Sequence, residues 1–356
     1  MSTLNLTVSS VQLTRDLCDV PSVSGDEKQL ADLIEAALAA YSHLEVIRDG
    51  NLIVARTNLG RDRRVIIAGH IDTVPINNNL PTEPREIDGV EYLWGRGTVD
   101  MKAGVAVQLK LAAELVAPVV DITWLWYDNE EVDSSLNGLG RLARNRPDLM
   151  LGDFAILGEP SNGAVEGGCN GTLRAVVRTH GTRAHSARAW MGENAIHAAA
   201  GILGRLNEYT PRDAEVEGLV YREGLNAVSI SGGVAGNVIP DLCEVEVNFR
   251  FAPDRSTDAA QEYVREFFDG FEVEFTDLAA GARPGLDAPL AQEFLAAVGA
   301  AAKPKYGWTD VARFSEAGIP AVNYGPGDPS LAHHDHERVE IAQIVAVETA
   351  LRAWLA

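Results

Sequence analysis

Val65-Ile66-Ile67-Ala68 is apolar throughout, and the chain then turns polar at Gly69-His70-Ile71-Asp72-Thr73-Val74-Pro75. An unbroken apolar run that ends in such a turn reads as a central strand of a parallel sheet, buried on both faces. Two residues apart on an extended chain, His70 and Asp72 point the same way. An imidazole with a carboxylate beside it is the usual arrangement for a metal-binding histidine held in orientation by its neighbour. Taken alone, the pair reads more readily as a buried histidine hydrogen-bonded to a structural aspartate.

The same strand-then-turn unit recurs on either side. Ile122 to Tyr127 is a buried strand followed by Asp128-Asn129-Glu130-Glu131, and Phe154 to Leu157 is a strand ending in Gly158-Glu159-Pro160, where the proline pins the turn. The glycine-rich turn from Gly95 to Asp100 precedes a helix from Lys102 to Val116, apolar on one side. No lysine-serine pair follows to make that turn a phosphate loop. Asp100 is either the helix cap or a carboxylate that bridges two ions, one oxygen to each. Helices are expected from Ser9 to Val20 and from Gly25 to Tyr41. The second carries Leu30, Leu33, Ile34, Ala37 and Leu38 on one face and has Ser24 or Asp26 as its cap. Short strands fall at Glu45 to Ile47 and Leu52 to Arg56. Such units in series imply an α/β domain with a mainly parallel sheet, which binds ligands at the carboxyl ends of its strands. His70, Glu130 and Glu159 all lie just past such ends.

After residue 172 the pattern changes. Strand Thr172 to Thr179, helix Gly192 to Tyr209, strands Asn226 to Ser231 and Cys243 to Phe251, helix Ser256 to Asp269 and a last strand at Glu272 to Phe275 describe a small α+β sandwich. Helix Leu290 to Ala301, strand Ala321 to Tyr324 and helix Ile341 to Leu355 resume the first pattern. The expected organisation is a discontinuous catalytic domain, 1–172 with 285–356, and an inserted domain, 173–284.

Bulk properties narrow the function. The chain has 356 residues, a length that suggests two domains. Its formal charge of −21 disfavours nucleic acid and anionic membranes as partners, since both reward a basic face. Cys18, Cys169 and Cys243 form no disulfide or zinc pattern. Residues 1–20 show no leader, and no apolar run approaches the roughly 18 residues of a membrane span, so a cytoplasmic location is the expectation.

The polar turns carry the chemistry. His70, Asp100, the Glu130-Glu131 doublet, Glu159 and a histidine of Ala332-His333-His334-Asp335-His336-Glu337 supply two imidazoles and several carboxylates. His333 and His334 are competing candidates, as are the two glutamates for the parts of ligand and base. Such a set suits two divalent ions about 3.5–4 Å apart, with one carboxylate left to handle a water. No Gly-x-Ser-x-Gly elbow argues for serine chemistry.

Taken together, the stretches GHIDTVP, GRGTVDMKAG, NEE, LGEP and AHHDHE resemble the M20 metallopeptidase and deacylase family, and the likeness covers nearly the whole chain. The resemblance implies a zinc-peptidase-like catalytic domain with a mainly parallel mixed sheet, plus an inserted α+β, ferredoxin-like lid and dimerisation domain. It implies two zinc ions, with cobalt or manganese as substitutes. His70, Asp100 and Glu159 would hold one, and Asp100, Glu131 and His333 the other. Asp100 would bridge, Glu130 would be the general acid/base, and Asp72 would stand behind His70. His333 is preferred to His334 because the family's ligand lies four residues before a glutamate, here Glu337. In Gly181-Thr182-Arg183-Ala184-His185-Ser186, His185 would reach the active site of a neighbouring subunit and stabilise the oxyanion there, which implies a homodimer. Asn237 and Arg250 resemble lid residues that contact substrate.

The stretches GGCNGTLR and HSARAWMGENAIH are similar to members that cleave N-succinyl-LL-2,6-diaminopimelate to succinate and diaminopimelate. That small-molecule substrate is the expectation. Another N-acyl-amino-acid deacylase, such as an acetylornithine deacetylase, or a carboxypeptidase is the alternative. Cys169-Asn170 stand where better-known members with that activity carry an arginine pair, so Arg250 and Arg313 are the candidates to meet the substrate carboxylates.

Overall fold

The structure is a computed structural model that describes residues 3–299 and 301–356. The chain forms two compact units. The first runs to Gly167 and resumes over Gly285–Lys303 and Arg313–Ala356. The second is Gly168–Pro284 with Pro304–Ala312. The second unit therefore starts five residues before the expected 173 and also takes in 304–312.

The first unit is built on an eight-stranded sheet in the order Glu45–Asp49, Leu52–Arg56, Asp121–Tyr127, Arg64–His70, Phe154–Leu157, Ala321–Asn323, Glu166–Gly167, Lys303–Pro304. The four strands from Asp121–Tyr127 to Ala321–Asn323 are parallel, and Leu52–Arg56 and Glu166–Gly167 join this block antiparallel. Every residue of Asp121–Tyr127 is buried, as is all of Arg64–His70 except Arg64. This two-sided burial explains why both strands read as continuous apolar runs. Helices Ser10–Cys18, Lys28–Leu38, Lys102–Glu114, Pro289–Val298 and Ile341–Leu355 belong to this unit. The helix expected over 290–301 ends at Val298, with Gly299 in the left-handed region at φ 64°; residue 300 lies outside the described residues. None of the described helices is long and apolar enough to cross a membrane.

Two local expectations are revised. Helix Lys102–Glu114 is buried nearly all round rather than on one side. Its polar groups allow this because the Lys102 ammonium donates to the carbonyls of Leu17 and Val20, and Gln108 donates to the carbonyl of Ala68. Neither Ser24 nor Asp26 caps Lys28–Leu38: Glu27 holds the cap position, and the Ser24 hydroxyl goes elsewhere.

The second unit contains a four-stranded antiparallel sheet in the order Gly224–Gly232, Leu242–Phe251, Gly171–His180, Glu272–Ala279. Helices Ala195–Ala198 and Ala200–Glu208 follow its first strand, and Thr257–Phe267 follows its third. This is the β-α-β-β-α-β pattern of a ferredoxin-like fold. Strict alternation sends Cys243, Val245, Val247, Phe249 and Phe251 into the core with Leu173, Ala175 and Val177. Glu244, Glu246, Asn248 and Arg250 are left on the other face.

Candidate metal centre

Three of the four parallel strands deliver their following residues to one edge of the sheet. His70 is the last residue of Arg64–His70, Glu130 and Glu131 follow Asp121–Tyr127, and Glu159 follows Phe154–Leu157. Asn129 has φ 58°, a left-handed conformation that asparagine tolerates, and it turns the chain just before the doublet. Helix Lys102–Glu114 starts against this edge. A Cβ on Gly104 would sit 2.2 Å from the carbonyl oxygen of Gly158, so only glycine permits that approach next to Glu159.

Asp100 lies at the middle of the set. It does not cap the following helix, whose cap position is Met101. Its Oδ1 is 3.0 Å from His70 Nε2, and its Oδ2 is 3.4 Å from His333 Nε2. His333 Nε2 also lies 2.9 Å from Glu131 Oε2, and Glu159 Oε1 lies 4.0 Å from His70 Nε2. Ligand-type atoms of His70, Asp100 and Glu131 fall within 4.8 Å of one another. Of the competing histidines, His333 has its ring against these carboxylates, in a left-handed conformation at φ 64°. The His334 ring instead packs beside His336.

Electrostatics match the crowding. Burial disfavours the Asp100 carboxylate, but hydrogen bonds from His333 and His70 outweigh it and hold its pKa well below the usual carboxylate range. Burial pushes Glu131 upward. Burial opposes protonation of His70, yet Asp100 and Asp72 raise its pKa well above the ordinary imidazole value. Hydrogen bonds to Asp100 and Glu131 raise His333 to about 10. The donor set of two imidazoles and three carboxylates fits divalent transition ions.

Asp72 contacts His70 through both its main chain and its carboxylate. The nearest partner of His70 Nδ1 is the Asp72 main-chain carbonyl, at 3.0 Å, with Oδ1 at 3.5 Å. The fully buried carboxylate accepts from the Glu130 amide at 3.0 Å, the Glu131 amide at 3.1 Å and the Ser24 hydroxyl at 2.7 Å. It fixes the backbone of the glutamate doublet as well as the histidine. Ser24 has no signal in the sequence beyond its resemblance to a helix cap.

Two further candidates meet in the second unit. His185 pairs with Val238 in a short ladder, and the Ser186 amide donates to the Asn237 carbonyl at 2.8 Å. His185 Nδ1 accepts from the Ala187 amide at 3.1 Å, so the neutral ring carries its proton on Nε2 and presents a donor. Arg250 lies elsewhere, on strand Leu242–Phe251. Arg313, in the first unit, sits against Gly140, whose added Cβ would be 2.7 Å from its Nη1.

Fold and site together define an α/β protein whose strand ends gather a carboxylate–imidazole set suited to divalent ions. The chain belongs to peptidase family M20/M25/M40, whose model matches residues 66–356. It is 53% identical over 355 residues to a putative succinyl-diaminopimelate desuccinylase of Mycobacterium tuberculosis, with 99% of each chain covered. To a succinyl-diaminopimelate desuccinylase of Corynebacterium glutamicum it is 47% identical over 363 residues, covering 99% of this chain and 97% of the relative. Among solved structures, a tripeptidase of Staphylococcus aureus superposes with a TM-score of 0.80 at 21% identity, covering 99% and 98% of the two chains. A protein of Bacillus subtilis described as a dinuclear metal-binding peptidase of the M20 family superposes with a TM-score of 0.71 at 17% identity, covering 97% and 96%. These two likenesses concern the fold.

Proposed function

We propose that this M20 metallohydrolase is a cytoplasmic two-zinc desuccinylase. It hydrolyses the amide of N-succinyl-LL-2,6-diaminopimelate to succinate and LL-2,6-diaminopimelate. The observation that carries the hydrolytic reading is Asp100, turned with one carboxylate oxygen toward each of two imidazoles, His70 and His333. The substrate rests on near-full-length identity to two chains that carry that activity in their names.

In this reading His70, Asp100 and Glu159 would hold one ion and Asp100, Glu131 and His333 the other. When bound, the ions would supply electrophilic catalysis and lower the pKa of water. Glu130 takes the proton of the attacking water as the new C–O bond forms. It returns that proton to the amide nitrogen as the C–N bond breaks, and the second proton of the water passes from the new carboxyl group to the amine, leaving the succinate carboxylate and an ammonium group. The backbone under Glu130 is held by Asp72, so the base starts from a fixed position. His185, from a second copy of the chain, donates through Nε2 to the developing oxyanion, and Asn237 beside it contacts substrate. Arg250 meets a substrate carboxylate.

A homodimer through the second unit is part of the reading. Strand Gly224–Gly232 is one of the two edge strands of its sheet and exposes Val228 and Ile230. Such an edge invites pairing with a second copy.

The test is a comparison of N-acyl substrates on zinc-loaded protein. N-succinyl-diaminopimelate is expected to give the highest kcat/KM. Preferential cleavage of acetylornithine or of a dipeptide overturns the substrate assignment, and full turnover by the chelated protein overturns the metal assignment.

A further inference from the structure

His70 closes strand Arg64–His70, and the neighbouring strand Phe154–Leu157 runs parallel to it with Leu157 opposite Ala68. The Gly158 amide donates to the Ala68 carbonyl at 2.9 Å. In a parallel ladder the next rung would run from the His70 amide to the Gly158 carbonyl. That rung is replaced. The chain turns at Gly158, and its carbonyl faces helix Lys102–Glu114 at Gly104, in the place a Cβ would take. The amide of the buried His70 donates instead to Met101 Sδ, 3.4 Å away.

The methyl group beyond that sulfur is placed as closely. Met101 is fully buried, and its Cε lies 2.6 Å from the position of a Cβ on Gly69, 3.0 Å from one on Gly158 and 3.2 Å from one on Gly104. Three glycines on three separate segments thus clear the space for one methyl group. Gly69 precedes His70, Gly158 precedes Glu159, and Gly104 lies in the first turn of the helix that follows Asp100 and Met101. A side chain at any of the three would drive the thioether away from His70. Gln108, seven residues on along the helix, walls the same space: its Nε2 donates to the Ala68 carbonyl at 2.8 Å. An unbranched, polarizable side chain suits such a slot, where it fills the gap and accepts a hydrogen bond at once.

We propose that Met101 is a positioning residue of the metal centre. Its sulfur holds the main chain of His70, and its methyl group sets the spacing of the segments that carry His70, Asp100 and Glu159. Met101 acts through these residues and not on an ion. Its effect is asymmetric, because the other carboxylate ligand, Glu131, is held at its amide by Asp72. The ion held by His70, Asp100 and Glu159 therefore depends on Met101 more than the ion held by Asp100, Glu131 and His333. The consequence for metal rests on the ligand sets of the proposed function; the hold on His70 does not.

The full-length protein, freed of metal with a chelator, is titrated with cobalt(II), whose visible absorption reports coordination. His333→Ala leaves the set of His70, Asp100 and Glu159, and His70→Ala leaves the other. Met101→Leu keeps the side-chain volume, a swap that cores tolerate, and deletes the acceptor. It is expected to weaken cobalt binding about 10-fold in the His333→Ala background and less than about threefold in the His70→Ala background. Norleucine in place of methionine removes the sulfur alone and is expected to give the same asymmetry, whereas selenomethionine, which keeps an acceptor, stays within about twofold of the parent. Met150→Leu and Met191→Leu are the controls and change neither site. Amide exchange of the metal-free protein gives a second readout. His70 should exchange about 3- to 10-fold faster in Met101→Leu, with Ile67 of the same strand unchanged, which separates the lost contact from a general loss of stability. Cobalt affinity that falls equally in both backgrounds, or His70 exchange indifferent to Met101→Leu and to norleucine, overturns the positioning role. A parent that binds no cobalt while His70 exchange follows Met101 keeps the hold on His70 and removes the metal-centre reading. Uptake of two cobalt ions with both readouts indifferent to Met101 does the reverse.

Discussion

Arg96 and Glu337 form a buried ion pair, 2.7 Å from Nη1 to Oε2, and through it the turn of Asp100 is tied to the loop of His333. Glu337 Oε1 accepts from the amides of Val99 and Asp100. Arg96 donates to the carbonyls of Pro75, His333 and His334. Three segments of the candidate centre thus share one pair of side chains. Glu337→Gln leaves the guanidinium buried without its counter-charge, which is expected to cost about 3–5 kcal/mol. Denaturant unfolding measures this, and zinc content per chain should fall with it. Unchanged stability would remove the pair from this role.

Glu130→Gln keeps the amide that Asp72 holds and removes the base. Zinc content and folding are expected to stay near those of the parent, with turnover lost by at least about 100-fold. Undiminished turnover would take Glu130 out of the mechanism.

Asp72→Asn is a severe change despite its small size. The parent carboxylate faces three donors, the amides of Glu130 and Glu131 and the hydroxyl of Ser24, and an amide NH2 cannot accept from any of them. A drop of about 10- to 100-fold in kcat or metal affinity is expected. Ser24→Ala should give a weaker form of the same defect; if Asp72→Asn matches the parent in both assays, the carboxylate is not the organiser.

Metal uptake should depend on pH with a definite sign. In the metal-free fold His333 holds its proton up to a pKa of about 10, raised above the ordinary 6.5 by Asp100 and Glu131. Its ion-pair contribution to the metal-free fold is fully present below 6.5 and is lost as pH rises through 10. A cation competes with that proton, so zinc affinity should climb from pH 6.5 toward 10, and zinc loading near neutrality should release protons. Titration of chelated protein with zinc in weak buffer reads both. Affinity that is flat with pH contradicts the assignment of His333.

Ile230→Arg places a charge on the exposed outer strand Gly224–Gly232. On the proposed homodimer, sedimentation should show the parent as a dimer and the variant as a monomer. If His185 acts on a partner's site, turnover should fall with dissociation and recover when the variant is mixed with a Glu130→Gln partner that retains the native edge. A parent that is monomeric at assay concentrations and fully active rules out the dimer.

The part of the fold that was legible in the sequence is the part decided locally. Val65–Ala68 and Ile122–Tyr127 announce buried strands because parallel strands covered on both faces need unbroken apolar runs. His70, Glu130 and Glu159 announce a site because each follows such a run. Pairings between distant segments left no local mark: strand Val90–Trp94 lies between Glu83–Ile87 and Arg338–Glu340 in a three-stranded sheet that no periodicity indicates. Lys102 hides the burial of its helix because its charge is met by main-chain carbonyls rather than by another side chain. Ser24 resembles a helix cap until the partner of its hydroxyl is known.

The order of the chain also has a temporal meaning. His70, Asp100, Glu131 and Glu159 are all present once the first half of the protein has been made, but His333 and Glu337 come after the entire second unit. A ribosome therefore exposes a cation-attracting cluster of carboxylates well before it delivers the loop that completes it. Until then Asp100 lacks its lower clasp from Glu337 and half of its imidazole pair. A chain that stops short of residue 333 is expected to hold divalent ions loosely and turn nothing over.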